Sequence, residues 1–212
     1  MSSPFDYIHA PDAITRESFA RIRAEAQLDH LPGLMRAVAE RVVHAVASVE
    51  AADHLRFSEG AAEAARAALL GGAPILLDVE MVSRGITRRF LPADNAVICC
   101  LGDDGVAADA KARGETRSAV GVERWGERLD GAVVVIGNAP TALFRVLEII
   151  LSGGPKPAAI LGFPVGFVGA AESKQALMAH AGDIPVITLA GRLGGSPVAA
   201  AALNAIALGA NP

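Results

Sequence analysis

The chain has 212 residues, of which 52% are hydrophobic, 4% are aromatic and 20% are charged. This length suits a single domain spanning residues 1–212, with a large core built from Ala, Val, Leu and Ile. The formal net charge of −4 argues against general nucleic-acid binding, which needs clustered Lys and Arg, but local arginines and helix N-termini can still hold a small anion.

Signals for secretion or membrane insertion do not stand out in the sequence. The first thirty residues carry several charges and no apolar block of the kind found in signal peptides. The alanine-rich stretch from Pro197 to Ala210 is shorter than the ~20 residues that a membrane span needs. We therefore expect a cytoplasmic protein that binds no membrane.

The cysteines and histidines do not have the spacing of a metal site. Cys99 and Cys100 are adjacent in a strand-like run, so their side chains should point to opposite faces of a sheet. We expect them to be free thiols, at least one of them buried. The five histidines are scattered along the chain. The sequence therefore predicts no intrinsic metal site.

Three helical segments precede the first predicted strand. The first covers 13–27 and follows Asp12, a plausible cap, and the second covers 32–49 with a proline in its first turn. The third covers 59–70, with Ser58 as its cap and a pair of glycines after its end.

Strands and helices then alternate to the end of the chain. Short apolar runs predict strands at 74–78, 96–101, 132–136, 158–161 and 184–189. Helices are predicted at 80–85, 104–113, 116–129, 141–151, 171–181 and 198–208. This alternation predicts an α/β fold of three layers, with a five-stranded parallel sheet and additional N-terminal helices.

Ligands of open parallel sheets bind beyond the carboxyl ends of the strands, where this sequence places several glycine-rich loops. Glycine is common in such turns for conformational reasons alone, but the loop Gly162–Lys174 is long, apolar and interrupted by Pro164, which suggests backbone close to a large ligand. The loop Gly137–Thr141 should present free N–H groups to a carboxylate or phosphate. It lacks the lysine and spacing of a Walker loop, and a dinucleotide fingerprint is also missing.

His44 is the best candidate for acid–base chemistry. Its helix should bury a stripe that includes Met35, Val38 and Val42, and His44 points away from that stripe, beside Arg41. A lone surface histidine is usually only solvated, yet histidine suits proton transfer near neutral pH. Arg117, at a predicted helix start, could bind an anion or simply be solvated. The Gly-x-Ser-x-Gly motif of serine hydrolases does not occur.

Seven segments carry a resemblance to a known family over nearly the whole chain. They are Arg41–Ala45, Gly72–Ile75, Asp78–Val82, Thr116–Ala119, Gly137–Phe144, Gly162–Lys174 and Gly191–Ser196. The sequence resembles the precorrin-8X methylmutase family of cobalamin biosynthesis. The two long segments are highly specific, whereas Thr-Arg-Ser alone would be weak.

The resemblance implies a flavodoxin-like fold and a homodimer with a tetrapyrrole site near the subunit interface. It implies migration of a methyl group of precorrin-8X from ring carbon eleven to ring carbon twelve, giving hydrogenobyrinate. The family's proton donor and acceptor falls on His44, and substrate contacts fall on Ser18 and Arg41. Because the shift is intramolecular, no cofactor, metal or nucleophile is needed. Further expected substrate-binding residues are Arg117, Asn138, Thr141, Gly166 and Gly169.

Two other functions fit parts of the same pattern. A non-catalytic tetrapyrrole carrier would share every binding feature and need no proton donor. Absorption spectra recorded with precorrin-8X would separate it from an isomerase, since isomerisation changes the conjugation. A nucleotide-binding regulatory domain of flavodoxin-like type is the second alternative, and the missing fingerprint counts against it.

Overall fold

A computed structural model describes residues 5–209 as a sheet covered by helices on both faces. The strands are β1 (Leu55–Phe57), β2 (Ile75–Leu77), β3 (Val97–Cys99), β4 (Val133–Ile136), β5 (Ala159–Gly162) and β6 (Val186–Leu189). The helices are α1 (Pro11–Glu25), α2 (Gly33–Val46), α3 (Ala61–Leu70), α4 (Glu80–Gly85), α5 (Val106–Arg113), α6 (Arg117–Glu123), α7 (Pro140–Leu151), α8 (Ala170–His180) and α9 (Ser196–Leu208). The predicted α/β alternation is confirmed.

The sheet has six strands in the order β1-β6-β5-β4-β2-β3, so the predicted number of five is wrong. The five expected strands are all present and parallel, and β1 is added at one edge, antiparallel to β6. Three residues are too few to show the alternation that marks a strand in sequence. The parallel strands follow the doubly wound order of flavodoxin, with the winding direction reversing between β2 and β4.

Several helix ends differ from the predicted ones. Helix α6 ends at Glu123, and a 3₁₀ turn at Gly126–Leu129 replaces the rest of the predicted helix. Ser58 does not cap α3, because its hydroxyl accepts the N–H of Val186 at 2.9 Å. Asp12 lies inside the first turn of α1 and does not cap it.

The sheet separates two hydrophobic cores. On one face, alternate residues of the central strands pack with α2, α3 and α9, and on the other face the remaining residues pack with α7 and α8. Cys99 packs with the first core and Cys100 with the second, so the prediction of free thiols on opposite faces is confirmed. Within residues 5–209, no helix combines the length and apolar content needed to cross a bilayer. The same residues contain no group of three His, Cys, Asp or Glu arranged to hold a metal ion.

Candidate active site

Helix α2 places His44 on the protein surface near the helix end. Met35, Val38 and Val42 are buried at 1% exposure or less, as the predicted stripe requires, and His44 is exposed. The helix ends at Val46, and the left-handed φ of 53° at the next residue, Ala47, turns the chain out of the helix direction. The core packing of α2 therefore holds the imidazole at the rim of the structure.

Ser18 on α1 is the hydrogen-bond partner of this imidazole. The Oγ atom of Ser18 lies 2.9 Å from Nδ1 of His44, across the contact between α1 and α2. Within the described residues, Nε2 of His44 has no protein partner. A hydroxyl both donates and accepts hydrogen bonds, so Ser18 can pair with Nδ1 whether or not that nitrogen carries a proton. The arrangement can therefore serve a proton donor and a proton acceptor in turn.

Phe19 joins His44 to Arg41. Its ring stacks against the imidazole with a centroid separation of 5.2 Å and an interplanar angle of 15°. The guanidinium carbon of Arg41 lies 5.4 Å from the centre of the same ring. Burial lowers the pKa of Arg41, and the charge of Glu40 opposes that shift. The expected residues Ser18, Arg41 and His44 thus form one group, organised by Phe19.

No pattern in the sequence indicates a role for Phe19. Its contacts run between α1 and α2, and the spacing of residues within either helix does not show how two helices pack. The nearest signal was its position directly after Ser18, a residue that the family resemblance had singled out.

Two cavities flank this group. The first, of about 490 Å³, is lined by Ser18 and His44, and all its lining residues come from α1, α2 and the turn that follows. The second, of about 380 Å³, is lined by Phe19 and Arg41 together with Arg16 and the end of α9. The charged lining residues of the first cavity are Arg21, Glu25 and Glu50, and those of the second are Arg16, Arg23, Arg41 and Glu40. The second cavity therefore has the excess of basic side chains that suits an anionic ligand.

Arg117 and Thr141 lie on two neighbouring helices, α6 and α7, on the other face of the sheet. The hydroxyls of Thr116 and Thr141 lie 2.7 Å apart, and Thr116 caps α6 by accepting the N–H of Ala119 at 3.2 Å. Arg117 is the exposed first residue of α6. Helices α6 and α7 cover the face opposite to α2, so Arg117 and Thr141 do not join the His44 group within one chain.

The N–H groups of the loop after β4 already have an anionic partner. The carboxylate of Asp78, which follows β2, accepts hydrogen bonds from Gly137, Asn138 and Ala139 at 2.8 to 2.9 Å. Asp78 is 3% exposed, and burial raises its pKa while these three bonds oppose the rise. The prediction that these N–H groups are free for an external carboxylate or phosphate is therefore wrong. The carbonyl of Asn138 accepts the N–H of Val165 at 3.3 Å.

The loop between β5 and α8 exposes apolar side chains on a glycine-shaped backbone. Gly166 and Gly169 have φ values of 144° and 80°, which disfavour other residues. A Cβ on Gly169 would also lie 3.2 Å from Cβ of Pro140. Phe167 is 85% exposed, and the guanidinium carbon of Arg192 lies 5.2 Å from its ring centre. Both glycines thus have conformational roles whether or not a ligand approaches them.

Comparisons with known proteins give one consistent answer. The model of the family described as Precorrin-8X methylmutase matches residues 13–208. The chain is 57% identical to the precorrin-8X methylmutase of Pseudomonas aeruginosa over 202 residues, covering 95% of this chain and 97% of that protein. It is 55% identical to the enzyme of the same name from Sinorhizobium sp over 203 residues, covering 96% and 97%.

More distant relatives agree. The chain is 42% identical over 170 residues to the cobalt-precorrin-8 methylmutase of Methanothermobacter thermautotrophicus, covering 80% of this chain and 78% of that protein. The solved structure of a precorrin-8X methylmutase from Thermus thermophilus superposes with a TM-score of 0.83 at 41% identity, covering 92% and 94% of the two chains. With a family match over most of its length, this chain belongs to the precorrin-8X methylmutase family.

Proposed function

We propose that this enzyme isomerises precorrin-8X to hydrogenobyrinate by moving a methyl group from ring carbon eleven to ring carbon twelve. His44 acts as the proton donor and acceptor. The observation that carries the assignment of His44 is its geometry, with Nδ1 held by Ser18 at 2.9 Å and Nε2 without a partner among residues 5–209. The cytoplasmic location expected from the sequence stays a prediction.

The only group exchanged with the enzyme in this reaction is a proton, which His44 donates to the substrate and later takes back. Protonation of the conjugated ring by Nε2 of His44 makes the migration terminus electron-poor. The methyl group then leaves carbon eleven with its bonding electron pair and forms a bond to carbon twelve. Loss of the same proton to His44 gives the neutral product, so the atoms of substrate and product balance. Transfer at Nε2 leaves the proton on Nδ1 in place, so Nδ1–H donates to the Ser18 hydroxyl before and after the transfer.

The basic residues Arg16 and Arg41, which line the cavity beside Phe19, suit the carboxylate arms of the substrate. Arg41 is held against Phe19, so its guanidinium loses little freedom when it binds a carboxylate. Arg117, Asn138, Thr141, Gly166 and Gly169 remain our proposed contacts at the carboxyl edge of the sheet. Since the N–H of Asn138 is bonded to Asp78, its side chain would have to make the contact.

A homodimer would complete the site. The His44 cavity is lined by residues 18–50 alone, and Arg117 and Thr141 lie on helices of the opposite face. Two copies related by a twofold axis could bring one group of each chain together. We therefore place the substrate near the interface between two subunits.

The relatives also bear on the metal content of the substrate. Those from Pseudomonas aeruginosa and Sinorhizobium sp, at 57% and 55% identity, are named for precorrin-8X, whereas the Methanothermobacter relative, at 42%, is named for cobalt-precorrin-8. On this ground we assign the metal-free compound as the preferred substrate. Turnover measured with both compounds tests the assignment, and faster turnover of the cobalt compound would contradict it.

The test of function is an absorption assay with purified protein and precorrin-8X. The wild type should convert the spectrum to that of hydrogenobyrinate. His44→Ala should lower kcat by roughly a hundredfold or more, since general acid–base catalysis contributes about 10²–10⁴-fold. Affinity for hydrogenobyrinate should change by a small factor only. His180→Ala, which alters an exposed histidine at the end of α8, is the matched control.

Each outcome of this assay separates the candidate functions. A wild type that binds precorrin-8X without changing its spectrum would favour the carrier function. A His44→Ala variant with near-normal turnover would remove His44 from the mechanism while leaving the isomerase assignment in place.

A further inference from the structure

Lys174 on α8 is a buried amine that the proposed mechanism does not use. The residue is 2% exposed, and its Nζ donates a hydrogen bond to the carbonyl of Leu193 at 2.6 Å. An ammonium group has three N–H donors, and buried charges are normally paired. Among the described residues, no carboxylate forms an ion pair with Lys174. Burial lowers the pKa of this amine to about 8.

Edge strand β1 contributes a second cation, Arg56, to the cavity that Lys174 lines. Arg56 is paired with Thr188 in the β1–β6 register, and cross-strand partners project from the same face of a sheet. That is the face covered by α8, so Arg56 and Lys174 line one cavity of about 440 Å³. The Nη1 atom of Arg56 donates to the carbonyls of Asp53 and Leu55, both at 2.8 Å, which holds the guanidinium in position.

The cavity combines positive charge with an apolar wall. Arg56 and Lys174 are the charged members of its described lining, which includes no acidic residue. Thr188 directs its hydroxyl to the carbonyl of Gly162, whereas Met178 and several alanines supply apolar surface. Two fixed cations beside such a wall match a carboxylate carried on a short hydrocarbon arm. Phosphate sites more often use a run of backbone N–H groups at a helix start, and Lys174 is the fifth residue of α8.

We propose that Lys174 and Arg56 form a carboxylate-binding site in the cavity between α8 and the β1–β6 edge of the sheet. The carboxylate can come from a side arm of a tetrapyrrole or from a free small organic acid, and both present the same group to the two cations. This assignment depends on the cavity and not on the role of His44.

The experiment is isothermal titration calorimetry of the wild type and variants at pH 7 with hydrogenobyrinate, succinate and inorganic phosphate. Lys174→Met and Arg56→Gln should each weaken carboxylate binding about tenfold to a hundredfold, the usual effect of losing a charge-assisted hydrogen bond. Lys111→Met, at an exposed position of α5, is the control and should bind as the wild type does. Arg56 is exposed, so Arg56→Gln keeps the test valid if Lys174→Met does not fold.

The pattern across the ligands identifies the source. Weakened binding of hydrogenobyrinate alone would assign the site to a tetrapyrrole arm, and weakened binding of succinate alone would assign it to a free acid. Unchanged affinities for both carboxylates in both variants, or phosphate binding tighter than succinate, would overturn the proposal. Binding is measured without turnover, so failure of the isomerase assignment would not be confused with failure of this one.

Proton uptake supplies a second readout. A bound carboxylate raises the pKa of an adjacent ammonium, so binding at pH 9 should draw a proton onto Lys174. Titrations in two buffers of different ionisation enthalpy should show this uptake in the wild type and in Lys111→Met. Binding at pH 9 with no proton uptake by the wild type would contradict contact between the carboxylate and Lys174.

Discussion

The Ser18–His44 pair uses a neutral partner where a carboxylate would favour one protonation state. A carboxylate beside an imidazole stabilises the protonated ring, which suits a base more than an acid. A neutral hydroxyl accepts from Nδ1–H in both forms of the ring, so it orients the imidazole without strongly favouring either form. In a reaction in which His44 donates one proton and later takes it back, similar stability of the protonated and neutral imidazole matters more than a strong hydrogen bond.

Ser18→Ala should therefore impair catalysis through the orientation of His44. We expect kcat to fall about tenfold, comparable to the loss of one neutral hydrogen bond worth about 1.4 kcal/mol. Steady-state kinetics over pH 5 to 9 provides the measurement, with Ser152→Ala, at the exposed residue that follows α7, as the control. Combined with His44→Ala, the serine change should have no further effect on kcat, and additive losses would show that Ser18 acts independently.

For single residues, the sequence predicted which side chains are buried or exposed better than it predicted which side chains contact each other. The apolar stripe of α2 correctly left His44 on the surface, since helical periodicity determines which residues are buried. The contact with Phe19 depends on how α1 crosses α2, which spacing within a single helix does not encode. The same holds for Arg56 and Lys174, which are 118 positions apart in the chain and meet at one cavity.

Among the elements, the turn after β4 shows most clearly where sequence patterns are insufficient. Its glycine and proline correctly indicated a helix start, because both have local conformational requirements. The partner of its N–H groups comes from the end of β2, which becomes a neighbour only when the sheet assembles. Strand β1 was missed for a related reason, since pairing with β6 rather than its own three residues makes it a strand.

Replacing Asp78 should test the hydrogen bonds between the end of β2 and the loop after β4. Asp78→Asn substitutes an N–H donor for one of the two oxygens that accept from the loop, leaving buried N–H groups unsatisfied. We expect the free energy of unfolding to fall by about 3 kcal/mol, measured by urea denaturation. Asp104→Asn, at an exposed position, should leave it nearly unchanged. A loss below about 1 kcal/mol for Asp78→Asn would contradict the role given to this carboxylate.

At the scale of the whole molecule, His44 and Arg117 lie on opposite faces of the sheet, so a site that uses both residues would require two copies of the chain. Helix α2 covers one face of the sheet and α6 the other, so each chain offers the two groups in different directions. The sequence predicted the layers through strand and helix alternation. It contained no signal for how two copies would meet.

Mixing two inactive variants tests whether the site is shared. If His44 acts together with Arg117 of the partner subunit, His44→Ala and Arg117→Ala should complement each other after subunit exchange. Equal mixing should restore about a quarter of wild-type turnover, because half of the dimers carry one intact site of two. Light scattering should show a dimer throughout. Mixed dimers with no recovered activity, or a monomeric wild type, would contradict a shared site.

The carboxylate of Asp78 also determines which ligands can bind between β2 and β4, where the winding direction of the sheet reverses. Because the Asp78 carboxylate is part of the chain, its effective concentration beside the N–H groups of Gly137 and Ala139 is about millimolar or higher. A nucleotide phosphate could bind to these N–H groups only by displacing that carboxylate. Flavin mononucleotide and similar compounds should therefore fail to bind there, although the strand order is the one that suits them in flavodoxin. The protein thus has the strand order of a nucleotide-binding fold, but the side chain of Asp78 occupies the N–H groups that could otherwise bind a phosphate.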